Sequence, residues 1–172
     1  MKLIDILKLI IYESDDAKLE SGNWGSVNEK DGNIIKTTED DQEIAISKRL
    51  SKLKKNFKHF PIIYSIKKIG KNKYDEDIYE IVKKKYSLIT KVPEYTNLIP
   101  IIEKYTSEIM AHIANPKNPL PEEVKEYPPL YTMIKGIIYE YSQLNLKDFN
   151  LLDFHIKNLG VDEQNNIVLF DY

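Results

Sequence analysis

The hydrophobic pattern divides the chain into two unequal halves, the first strand-rich and the second helical, and that division limits its architecture more than any other feature. Extended runs broken by tight turns fill the first half, and helical stripes fill the second. Strands that precede helices, rather than alternate with them, imply an α+β protein with a small antiparallel sheet. Between Leu19 and Thr37, apolar runs flank Lys30-Asp31-Gly32-Asn33, and Asp-Gly between extended segments is a strong hairpin signal. One helix should follow: Glu39, Asp40 and Asp41 suit the positive end of its dipole, and Ile46, Leu50 and Leu53 recur at helical spacing. Two further strands are expected over about Ile62 to Ile69 and Ile78 to Lys83, joined by the polar turn Gly70 to Asp77.

The helical half starts near Lys85. Leu98, Ile101, Ile102, Tyr105, Ile109 and Ile113 form a stripe within Asn97 to Ala114, and Leu130, Ile134, Ile137, Ile138, Tyr141 and Leu144 form a second. Between them Pro116, Pro119, Pro121, Pro128 and Pro129 predict an exposed, irregular connection. The expected division is a β-rich region over 1–84 and a helical region over 85–172. A length of 172 residues allows a real core, and a formal charge of −2 with 42% hydrophobic residues suits a globular protein. Cysteine is absent, which excludes a disulfide framework and a thiolate metal site and points to a reducing compartment. The apolar run from Met1 to Tyr12 is short and interrupted by Asp5 and Lys8, so neither a signal peptide nor a membrane span is expected. The expected location is the cytoplasm.

The second stripe leads into Asp153-Phe154-His155-Ile156-Lys157-Asn158, then Leu159 to Val161, a polar turn, and Ile167 to Tyr172. Asp and Asn in such loops commonly satisfy turn backbone groups. Phosphoryl transfer, however, asks for the same residue types: a carboxylate near the attacking hydroxyl, and oxygen ligands that hold Mg²⁺ against nucleotide phosphates. Asp153, Asn158 five residues later, and Asp171 at the end of an apolar strand supply that set in order. Upstream stand Gly22-Asn23-Trp24-Gly25-Ser26-Val27, then Asn33-Ile34-Ile35-Lys36, then Glu43 spaced i, i+3, i+7 with Ile46 and Leu50. A carboxylate on that apolar face needs a partner, and Lys36 is within reach of the pattern. Glu39 competes for the same lysine.

Taken together, these segments resemble the protein-kinase-like phosphotransferases from Leu19 to Tyr172. The resemblance implies a small antiparallel N-lobe with one helix and a truncated, mainly helical C-lobe. It implies ATP and Mg²⁺ as cofactors. Gly22 and Gly25 would let the backbone approach the phosphates, Trp24 would cap them, and Val27 would pack on the base. Lys36, fixed by Glu43, would bind phosphate, Asp153 would orient or deprotonate the acceptor hydroxyl, Asn158 and Asp171 would hold Mg²⁺, and His155 would add a phosphate or acceptor contact. The adenine would lie along Ile81 to Lys85, in a register the sequence leaves open. His155 in D-x-H-x-x-N is similar to the loop of small-molecule and antibiotic kinases and of kinase-like viral and phage proteins, which would place the chain in host cytoplasm if viral.

Several features depart from that family. Glu20 stands where its first loop glycine would fall, and Leu151-Leu152 replace its His-Arg. The sequence stops at Tyr172, with no activation segment, so the expectation is either a minimal kinase acting on a protein Ser or Thr hydroxyl or an inactive mimic that binds a partner protein. Exposed apolar helix faces on a truncated lobe would favour a homodimer. Nucleic acid is not expected as a partner: the lysines from Lys52 to Lys85, Lys83 among them, read as solvated and are offset by interspersed acids.

Overall fold

The computed structural model describes residues 18–22, 25–53, 57–144 and 154–171. The chain divides into two compact units, 1–54 with 62–85, and 55–61 with 86–172. Relative to the division expected at 84/85, the short segment 55–61 belongs to the later unit.

Among the described residues, the first unit is a five-stranded antiparallel sheet with one helix. Its strands are β1 (Lys18–Gly22), β2 (Gly25–Lys30), β3 (Asn33–Thr38), β4 (Ile63–Lys71) and β5 (Asp77–Lys84), in the order β1-β2-β3-β5-β4. Asp31 and Gly32 have φ of 51° and 74°, the paired left-handed values of the hairpin turn whose twist matches its strands. That turn fixes the β2–β3 register and sets Val27 opposite Lys36. Lys36 in turn faces Ile81, and Ile81 faces Ile66. Side chains alternate across a strand, so Lys36, Ile81 and Lys83 project from one face of the sheet.

Helix α1 (Asp41–Leu53) covers that face, burying Ile44, Ile46 and Leu50. Asp40 is its N-cap: the Oδ1 accepts from the backbone N–H of Gln42 at 2.8 Å and of Glu43 at 3.1 Å. Asp40 and Glu43 have the spacing of a capping box, in which the later acid would bond back to the N-cap N–H. Here the Thr38 hydroxyl accepts that N–H at 3.1 Å, and the Glu43 side chain is released for another use.

In the second unit, β6 (Ser87–Leu88), β7 (Leu159–Val161) and β8 (Ile167–Leu169) form a small sheet beside helices α2 (Ile99–Ala114), α3 (Glu122–Lys125) and α4 (Pro128–Leu144). The two apolar stripes form α2 and α4 as expected. The proline-rich link is corrected: it contains α3, and Leu120 and Val124 are buried, because prolines at the first turn of a helix forfeit no hydrogen bond. Pro128 and Pro129 likewise open α4 rather than precede it. Among the described residues no helix is long and apolar enough to cross a membrane.

Candidate functional site

Of the expected site residues, the first unit brings Lys36 and Glu43 together. Lys36 Nζ lies 2.9 Å from Glu43 Oε1, with 18% of the lysine side chain exposed against 3% of the glutamate. Among the described residues no donor meets that oxygen at hydrogen-bond angles, and the contact is an ion pair. Glu39, the competing acid, instead accepts from Asn72 Nδ2 at 2.7 Å in the β4–β5 turn. Removing one member of a buried pair typically costs about 3–5 kcal/mol, because the other is left charged in a poorly solvated place.

A second lysine shares this carboxylate. Lys83 Nζ is 3.5 Å from the same Oε1, with only 5% of its side chain exposed. This corrects the expectation that Lys83 belongs to a solvated basic face. The alternation of β5 carried the signal, since Lys83 stands two residues from the fully buried Ile81, but the run Lys83-Lys84-Lys85 reads as surface charge when taken as composition.

Gly22 closes β1 and Gly25 opens β2, and the two face each other in the β1–β2 register. Val27 is half-buried on β2. Trp24 and Asp153 lie outside the described residues.

The second unit positions Asn158 and Asp171. The backbone N–H of Phe170 donates to the Asn158 carbonyl at 3.0 Å, one step beyond the Leu159–Leu169 pair, so the open end of the β7–β8 hairpin carries Asn158 on one arm and Asp171 on the other. His155 is exposed and serves the turn into Asn158. Its Nδ1 accepts from the Lys157 N–H at 3.2 Å, and its carbonyl accepts from the Asn158 N–H at 2.8 Å. At the hairpin's other end the Tyr95 hydroxyl donates to the Asn165 carbonyl at 2.7 Å, and burial raises that hydroxyl's pKa, which keeps it a donor.

The free edge of β8 is pinned by residues that motif reading does not single out. His59 Nδ1 donates to the Ile167 carbonyl at 2.8 Å, and the Leu169 N–H donates to the His59 carbonyl at 2.9 Å, so one residue pairs with the strand through backbone and ring together. The buried Glu140 carboxylate on α4 holds that residue, accepting from the Lys58 N–H at 2.7 Å and the His59 N–H at 2.9 Å. Such charge-assisted bonds are about twice as strong as neutral ones. They fix the strand that delivers Asp171.

An Asp carboxylate and an Asn amide oxygen are hard donors, and Mg²⁺ characteristically takes one or two carboxylates and completes its shell with phosphate and water oxygens. The pair at the hairpin end fits that demand. Among the described residues no group of three or more His, Cys, Asp and Glu side chains is gathered as a metal site. The protein is thus α+β, with a buried lysine–glutamate pair in one unit and, in the other, Asn158 and Asp171 on the two arms of a hairpin's open end. No protein-family model matches the chain, and no curated protein matches it.

Proposed function

We propose that the chain is an ATP- and Mg²⁺-dependent phosphotransferase of the protein-kinase-like class, acting on an alcohol such as a protein Ser or Thr hydroxyl. The buried Lys36–Glu43 ion pair carries this reading. It ties a central strand to the helix over the sheet and leaves the lysine the more open partner, the arrangement a phosphate-binding lysine needs if it is to be held and still reachable. In this reading Gly22, Trp24, Gly25 and Val27 cover the nucleotide, and Lys36 binds its phosphates. Asn158 and Asp171 hold Mg²⁺, whose charge would offset that developing on the phosphoryl oxygens. Asp153 orients the acceptor hydroxyl, and His155 contacts phosphate or acceptor.

Thermal unfolding with and without ligand tests the reading. A ligand that binds only the folded state stabilises it by about 2.7 kcal/mol at a hundredfold excess over its dissociation constant, so ATP with Mg²⁺ should raise the Tm by a few degrees. Lys36→Ala should abolish most of that rise. Absence of any shift or binding heat with ATP, GTP or ADP would sink the nucleotide reading.

A further inference from the structure

Lys83 and Lys36 meet the same oxygen of Glu43, at 3.5 and 2.9 Å, from adjacent strands of the sheet. They differ in openness: 18% of the Lys36 side chain is exposed and 5% of the Lys83 side chain. The register explains the convergence, since Lys83 is paired with Ile34 and Lys36 with Ile81, which sets both lysines on the face that α1 covers. A lysine that takes up a phosphate divides its donors between phosphate and carboxylate and loosens its hold on the carboxylate. A carboxylate as buried as Glu43 cannot be left without a cation.

We propose that Lys83 is a positioning residue that keeps Glu43 charged and in place while Lys36 engages the phosphate oxygens of a nucleoside triphosphate. The proposal rests on the phosphotransferase reading of Lys36. Without Lys83, Glu43 would retain Lys36 and the incoming anion would compete with it. A lysine that merely filled space would alter stability and leave anion affinity alone.

Calorimetric titration with inorganic triphosphate and with ATP, on the full chain and on Lys83→Met, Glu43→Gln and the double variant, separates these. Lys83→Met should weaken both ligands about tenfold, equivalent to about 1.4 kcal/mol, and should change affinity by less than about twofold once Glu43→Gln is present. Unchanged or raised affinity in Lys83→Met overturns the proposal, as does an equal loss in both backgrounds, which would make Lys83 a direct anion ligand. Wild-type protein that binds neither probe overturns the phosphotransferase reading and this proposal together, whereas binding that ignores Lys83 overturns this proposal alone. Should Lys83→Met fail to fold, Lys83→Gln, a neutral donor one bond shorter, reads the same quantity.

Discussion

Single residues in this protein take their roles from neighbours rather than from their type. Gly136 is the sharpest case. It lies mid-helix in α4, where alanine would ordinarily stabilise by about 1 kcal/mol. A Cβ there would fall 2.1 Å from His59 Cδ2 and 2.3 Å from Nε2, and the ring cannot swing aside without losing its bond to Ile167. Overpacking of this kind costs about 1–3 kcal/mol, so Gly136→Ala is expected to destabilise despite the helical preference. Urea denaturation reads the sign directly, and a stabilised variant would mean the ring has room to move. Nothing in the sequence distinguishes Gly136 from a tolerated helical glycine, since the constraint comes from a residue 77 positions earlier. Lys83 was hidden in the same way, its carboxylate partner lying on a different element.

At the scale of elements, what repeats locally was legible and what depends on distant contacts was not. The Asp31-Gly32 turn and the stripes of α2 and α4 follow from backbone preference and periodicity, which act within a few residues. The segment around His59 has no period, because it is ordered by Glu140 and by the edge of β8. The start of α1 falls between these cases. Acidic residues at Glu39 to Asp41 announce a helix N-terminus, but it is the bonds to the Gln42 and Glu43 N–H groups that single out Asp40 as the cap, and the Thr38 hydroxyl that frees Glu43 from the capping box. Losing an N-cap carboxylate typically costs about 1 kcal/mol, so Asp40→Ala should lower the denaturation midpoint by that amount while Asp40→Ser keeps most of it. Because the cap also anchors the Glu43 N–H, Asp40→Ala should weaken triphosphate binding beyond what its lost stability explains. Equal binding by Asp40→Ala and wild type would show that Lys36 and Lys83 hold Glu43 without help from the cap.

Across the whole molecule, the proposed chemistry is split between two units. On this proposal the first would supply the charge that grips phosphate, and the second would supply the metal's oxygen ligands and, from Asp153, the carboxylate that handles the acceptor. Such a division makes binding and transfer separable by mutation. If Asp153 orients or deprotonates the acceptor, Asp153→Asn should leave ATP binding nearly unchanged and lower transfer by about 10²- to 10⁴-fold, the usual contribution of a general base. If Asp171 holds Mg²⁺, Asp171→Ala should lose Mg²⁺-dependent binding as well as transfer, while Mg²⁺-independent binding persists through Lys36. A kinase mimic would respond differently: both variants would keep partner binding and biological effect, because surface shape and not chemistry would carry them. The decisive measurement is transfer of γ-phosphate to the protein itself, to cell extract and to small alcohols and aminoglycosides, paired with complementation by Asp153→Asn. No transfer by the wild-type chain, together with full function of Asp153→Asn in cells, would retire the catalytic reading and leave a nucleotide-binding or purely structural role for the Lys36–Glu43–Lys83 cluster.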